Sequence, residues 1–180
     1  VYEVEGFYPG YGHTFGNSIR RMLLSSLPGA AVTRIKIEGV QHEFAALPGA
    51  KEDVIAVILN LKQLRIKMHV PEPQVIHLKV KGAREVKAKD FEVPSQVEIM
   101  NPDLTIVTVT DKSAVLNIEA TVESGIGYIP KEAMHKEKVE SGTIFLDAVF
   151  TPVRRVNYEV ENMRIGDRTD FNRLKIALQT

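Results

Sequence analysis

The run Gly12-His13-Thr14-Phe15-Gly16-Asn17-Ser18-Ile19-Arg20-Arg21-Met22-Leu23-Leu24-Ser25-Ser26-Leu27-Pro28-Gly29 decides how the rest of the chain is read. Phe15, Ile19, Met22, Leu23 and Leu27 recur at helical spacing and make one apolar stripe. Thr14 is placed to cap the helix, because its hydroxyl can accept a bond from an unpaired first-turn N–H. Pro28-Gly29 ends it. The opposite surface carries Asn17, Arg20, Arg21 and Leu24, so the side away from the stripe is not simply polar. A helix of this kind needs a sheet to cover.

A second helix is expected from Lys51 to Leu61. Glu52 and Asp53 stand in its first turn, where carboxylates meet the positive end of the helix dipole. Val54, Ile55, Val57, Ile58, Leu59 and Leu61 make it apolar on most sides, which predicts burial or a partner. Elsewhere apolar residues alternate with period two: Thr33, Ile35, Ile37; Leu64, Ile66, Met68, Val70; Ile76, Leu78, Val80; Leu116, Ile118, Ala120, Val122; Ile144, Leu146, Ala148, Phe150. Pro71-Glu72-Pro73 predicts a hairpin between the second and third of these runs. Val156, Tyr158, Val160 and Leu174, Ile176, Leu178 bracket a turn from Gly166 to Asn172. The charged segment 131–142 reads as an exposed loop. Half-buried antiparallel strands therefore predominate, and the class is α+β with β in the majority. The closing strands are candidates to cover the opening helix, which would make the chain's organisation discontinuous.

Composition narrows the functions. The 180 residues hold 23 Lys+Arg and 23 Asp+Glu, so no global field draws the chain to nucleic acid or to an anionic membrane. The absence of cysteine excludes disulfides, thiol catalysis, iron–sulfur clusters and Cys-ligated zinc. No apolar run is long enough for a membrane span, and VYEVEGFYPG lacks the flank and core of a signal peptide. The expectation is a soluble, intracellular protein.

Few residues point to catalysis. The loop Gly6-Phe7-Tyr8-Pro9-Gly10-Tyr11-Gly12 invites a phosphate-binding reading at a helix N-terminus, with a small-molecule or nucleotide-binding enzyme using residues 10–16 as the alternative function. Yet Gly16 is followed by Asn17-Ser18, not by the Lys-Ser/Thr of a Walker loop. His13 with Ser25 and Ser26 lacks a nucleophile elbow. His69 and His77, expected on adjacent strands, are too few to close a zinc site. Glu3, Glu5, Glu159 and Glu161 read as wet strand faces. Arg20-Arg21 and Arg154-Arg155 are of more interest, since a guanidinium on an apolar element pairs well with a carboxylate across an interface. The residues alone favour assembly over catalysis.

The opening run closely resembles the first interface helix of the α subunit of bacterial-type DNA-directed RNA polymerase. Glu52-Asp53-Val54 through Leu59-Asn60-Leu61-Lys62 resembles that family's second signature and Gly127-Tyr128-Ile129-Pro130 a third. Thr151-Pro152-Val153-Arg154-Arg155-Val156-Asn157-Tyr158, with Arg168-Thr169-Asp170, resembles its return into the first subdomain. The family's basic residue between the glycines before the tyrosine is here Ile126.

The resemblance implies an α+β fold in which a dimerisation subdomain of helices on an antiparallel sheet, residues 1–28 plus 154–180, is interrupted by an inserted mostly-β subdomain, residues 29–153. It implies a homodimer that serves as platform for the two large catalytic subunits, and hence a non-catalytic subunit of a nucleotidyltransferase. No catalytic, cofactor-binding or metal-binding residue is expected in this chain. Phe15, Leu23, Leu24 and Leu27 would lie at or beneath the dimer contact. Asn17, Arg20, Arg21, Ser25, Asn60, Lys62, Tyr128 and Arg154 would serve large-subunit assembly. The family's chain continues beyond both ends seen here, to a second dimer helix and a DNA-binding domain, so neither DNA nor membrane contact is expected from this segment. Bacterial, nucleoid-associated cytoplasm is the implied location, and a plastid origin would look similar.

Overall fold

A computed structural model describes residues 1–134 and 141–180. In chain order the elements are β1 (Tyr2–Phe7), α1 (Tyr11–Ser25), β2 (Pro28–Ile37), α2 (Val54–Leu61), β3 (Ile66–Met68), β4 (Gln74–Lys81) and β5 (Arg84–Lys87). A 3-10 turn, Ala88–Asp90, then leads to β6 (Val97–Ile99), β7 (Thr105–Val109), β8 (Val115–Ile126), β9 (Tyr128–Ile129) and α3 (Lys131–Met134). The chain closes with β10 (Thr143–Phe145), β11 (Ala148–Val149), β12 (Arg155–Ile165) and β13 (Arg168–Gln179). The fold is α+β with strands in the majority. It divides into two compact units, Val1–Pro28 with Thr151–Thr180, and Gly29–Phe150.

The first unit is a three-stranded antiparallel sheet in the order β1-β13-β12, with α1 on one face. The alternation in the closing strands sets its register: Val156 faces Leu178, Tyr158 faces Ile176, and Val160 faces Leu174. Those residues, with Ile19, Leu23 and Leu24 from the helix and Leu27 just beyond it, form a small core whose buried members are Val153, Val156, Leu174 and Ile176. The other sheet face is charged. Lys175 pairs with Glu161 at 2.8 Å, and Arg173 Nε lies 2.8 Å from Glu5 Oε1, an ion pair in which the N–H is not aligned as a hydrogen bond. The lysine bond holds the Glu161 carboxyl below its ordinary range. The four glutamates at 3, 5, 159 and 161 are thus interleaved with cations on that face.

The second unit is built on a six-stranded sheet, β4-β8-β2-β3-β6 with β10 also on β2, and two-stranded ribbons β5-β7 and β9-β11. Its core is larger, and the alternating residues Ile35, Ile37, Ile76, Leu78, Val80, Leu116, Ile118 and Val122 are all buried in it. Three local expectations change. Helix α2 starts at Val54, where Asp53 caps it by accepting from the Ala56 N–H at 2.8 Å; Glu52 is drawn away to the Thr108 N–H and hydroxyl. The segments flanking Pro71-Glu72-Pro73 are no hairpin, because β3 pairs β2 and β6 whereas β4 pairs β8. Of the loop expected over 131–142, residues 131–134 form the short helix α3, and 135–140 lie outside the described residues.

Candidate assembly surfaces

Helix α1 begins three residues earlier than Thr14, through backbone chemistry. Gly10 takes a left-handed φ of 83° and caps the helix without a side-chain bond. Its N–H donates to Asn172 Oδ1 at 2.9 Å, and Asn172 Nδ2 donates to Asn162 Oδ1 at 3.1 Å. Asn172 is 6 % exposed, so it pins the loop before the helix to the sheet from a buried position.

The helix lies unusually close to that sheet. Gly12 and Gly16 are its two fully buried residues. A Cβ at Gly12 would stand 2.7 Å from Val160 Cγ1, and one at Gly16 would stand 2.5 Å from Tyr158 Cδ2. The two glycines that suggested a phosphate cradle are therefore packed against this unit's own strands. Spacing carries the inner face onward through Ile19, Leu23 and Leu27, all half-buried.

One flank of α1 is apolar and open. Tyr11, Phe15 and Met22, at i, i+4 and i+11, are 58 %, 47 % and 63 % exposed. Phe15 stacks in a tilted geometry on Phe7 at 5.2 Å, which steadies it without covering it. Nearby, exposed Tyr8 lies 5.4 Å from Phe171, which also carries the Arg168 guanidinium over its ring at 5.0 Å. The stripe read from sequence is thus rotated: Phe15 and Met22 belong to the outside, and the glycines take their place inside.

The other flank is polar. Asn17, Arg20 and Arg21 are exposed, and among the described residues neither arginine forms a salt bridge. Ser25 donates its hydroxyl to the Arg21 carbonyl at 2.7 Å, one turn earlier, and sits 3.1 Å from Ser26 Oγ. Leu24 is half-buried in the core cluster. Arg154 is exposed, with its backbone N–H on the Gln179 carbonyl at 2.8 Å. In this unit Asn17, Arg20, Arg21 and Arg154 are exposed at the surface, and Leu23, Leu24 and Leu27 pack in the core cluster.

The second unit treats its three candidates differently. Asn60 is half-buried, and its amide donates to the Ile106 carbonyl at 2.9 Å, tying α2 to β7. Lys62, just past the end of α2, reaches Asp147 Oδ2 at 3.2 Å. The other oxygen of Asp147 accepts the Lys131 N–H at 3.0 Å, and Lys131 Nζ in turn pairs with Glu43 at 3.1 Å. Those bonds, from the Lys131 N–H first and from Lys62 second, hold the Asp147 carboxyl below its ordinary range. Tyr128, 59 % exposed, has its phenol pushed up by partial desolvation and by the Asp147 carboxylate beside it. Asp147 and Glu43 were invisible to sequence reasoning. Asp147 is merely the polar position in an alternating apolar run, and nothing local marks its partners. Leu59, one turn before Lys62, is 55 % exposed.

His69 and His77 do not meet: His77 sits on β4 opposite Glu119, and His69 Nε2 lies 3.9 Å from Glu98. Among the described residues no group of three or more His, Asp or Glu could hold a metal, and no helix is long and apolar enough to cross a membrane.

The family model described as RNA polymerase Rpb3/RpoA insert domain matches residues 35–151. The chain is 48 % identical over 179 residues to the DNA-directed RNA polymerase subunit alpha of Roseiflexus sp. (strain RS-1), covering 99 % of this chain and 55 % of that protein. It is 50 % identical over 177 residues to the protein of the same name from Symbiobacterium thermophilum, covering 98 % of this chain and 56 % of the other. The relative in Leifsonia xyli subsp. xyli is 48 % identical over 177 residues, 98 % of this chain and 53 % of its own length. The chain thus spans about half the length of the curated relatives it matches. With most of one compact unit inside the matched region and near-complete alignment to polymerase subunits, this chain belongs to the RNA polymerase Rpb3/RpoA insert domain family.

Proposed function

We propose that the chain is the amino-terminal part of a non-catalytic α subunit of DNA-directed RNA polymerase, which pairs with a second copy and then serves as the platform for the two large catalytic subunits in the bacterial cytoplasm. The observation that carries this is the division of labour on α1. Its inner face is closed onto its own sheet by Gly12 and Gly16, while one flank offers Tyr11, Phe15 and Met22 and the other offers Arg20 and Arg21, which form no salt bridge among the described residues. Large apolar side chains left open beside exposed guanidiniums favour a protein partner over a small ligand. The small core of this unit, with four fully buried apolar residues, supports the same reading, because a domain so thinly cored gains from further cover.

On this reading Phe15, with Tyr11, Met22 and the leucines at 23, 24 and 27 beneath, forms the dimer contact. Asn17, Arg20, Arg21, Ser25 and Arg154 face a large subunit, and Lys62 and Tyr128 provide a second contact from the other unit. Asn60 supports that contact from inside. The chain brings no cofactor of its own.

The test is Arg21→Ala in the full-length protein. Its cooperative melt should stay within about 0.5 kcal/mol of the parent, as for other surface substitutions, while co-purification with a large subunit is lost. Unfolding of the variant, or unchanged co-purification, would defeat the role given to Arg21. Tight binding of nucleoside triphosphates by the isolated chain, read by calorimetry, would instead favour an enzyme.

A further inference from the structure

We infer that Asp147 is a positioning residue for large-subunit assembly: its carboxylate fixes the Lys62 ammonium beside the Tyr128 phenol on the surface of the Gly29–Phe150 unit. This rests on the reading of Lys62 and Tyr128 as contact residues given above.

The argument is geometric. Asp147 stands in the turn between β10 and β11, and its oxygens are divided between two segments distant in sequence. Oδ2 takes Lys62 Nζ, just beyond α2, and Oδ1 takes the N–H of Lys131 at the start of α3. Lys131 then spends its own ammonium on Glu43, so it does not compete with Lys62 for the carboxylate. Tyr128 lies on β9, where its partner across the ribbon is Val149, two residues beyond Asp147, and the Asp147 carboxylate helps push its phenol up. One side chain thereby joins the end of a helix, the start of a second helix and, through Lys131, the loop at Glu43. Lysine has several rotatable bonds, and an ammonium held at one place loses less entropy on binding than a free one. The Lys62–Asp147 pair is part-exposed, with side chains 33 % and 35 % accessible, so it adds little to folding stability. Positioning is the role left to it.

The experiment measures association of the full-length protein with the large polymerase subunits for Asp147→Asn, for Lys62→Ala/Tyr128→Phe, and for the three changes combined. Asparagine keeps an acceptor for the Lys131 N–H and removes the charge. Asp147→Asn should weaken association roughly two- to five-fold, the scale of a part-exposed charge pair, with the thermal midpoint within about 2 °C. Added to Lys62→Ala/Tyr128→Phe, it should change nothing further, since it acts through those groups. Equal weakening in both backgrounds, or no weakening in the parent, would overturn the proposal. If Asp147→Asn melts early, Asp147→Glu, which keeps the charge and displaces it, takes its place in the same comparison. Loss of assembly in Arg21→Ala with none in Lys62→Ala/Tyr128→Phe overturns the positioning role and leaves the platform reading standing. Unchanged assembly in all of them removes the platform reading as well.

Discussion

Replacing Gly16 by alanine tests the close seating of α1 more directly than any change on its outer side. The new methyl would stand 2.5 Å and 2.8 Å from two ring carbons of Tyr158 and 3.0 Å from Leu174 Cδ1. Ordinary carbon–carbon separation is about 3.5–4.0 Å, so the helix must rise by roughly 1 Å or the ring must swing. Leu174 is fully buried, and Tyr158, half-buried on β12, turns its ring toward α1, so room for the methyl comes only from moving the ring or the helix. Overpacking of this kind costs about 1–3 kcal/mol. Alanine regains about 1 kcal/mol over glycine in a helix interior. The net expectation is a loss of up to about 2 kcal/mol, or up to roughly 8 °C in the melting transition, read by circular dichroism at 222 nm. Ser18→Ala, on the solvent side where the hydroxyl only bonds back to the Thr14 carbonyl, is the control and should be neutral or slightly stabilising. A Gly16→Ala protein that melts above the parent temperature would refute the close approach, and with it the view that these glycines exist for packing.

Other changes have equally definite outcomes. Asn60→Ala strands the Ile106 carbonyl and should cost about 1–3 kcal/mol in thermal unfolding, whereas a purely interfacial asparagine would leave the melt untouched. Asp53→Ala removes the cap of α2 and should cost about 0.5–2 kcal/mol, with Asp53→Asn or Asp53→Ser largely restoring it in the same melt. The Lys175–Glu161 pair sets a pH response with a definite sign. The glutamate is held below its ordinary 4.5 and the lysine above its ordinary 10.5, so their contribution is present between these values, is lost as pH falls below 4.5, and is lost again as pH rises above 10.5. Glu161→Gln should flatten the acid side of a plot of melting temperature against pH.

Much of this architecture was legible before any coordinates. Strict alternation fixed the inward residues of β2, β4, β8, β12 and β13, because a slip of one position would turn each buried isoleucine or valine into water. Proline at 28 bounded α1, which stops at Ser25, two residues short of the expected end at Leu27. Its start was missed because the cap is a left-handed glycine and not a hydroxyl, and because glycines inside a helix resemble turn glycines until the i, i+4 spacing of Gly12 and Gly16 is aligned with Ile19 and Leu23. The same misreading rotated the apolar stripe, which placed Met22 inside and left Tyr11 out of account. Pairing across long separations was beyond reach: nothing near Pro71 announces that the strand before it joins β2 and β6 while the strand after it joins β8. The hub at Asp147 was hidden for the same reason. Its partners come from residues 43, 62, 128 and 131, and only the folded chain gathers them.

The interleaved layout of the first unit also constrains how the protein can be made. Residues 1–28 leave the ribosome long before the strands at 151–180 that cover their helix. Through all of that interval Ile19, Leu23 and Leu27 have no sheet to rest on, while the intervening 122-residue segment can already close its own core. Synthesis therefore favours an order in which the middle folds first and the two ends join last, across a large loop-closure cost. A nascent chain halted before β13 would display a greasy, unsatisfied helix, the kind of surface that chaperones bind and that quality-control proteases remove.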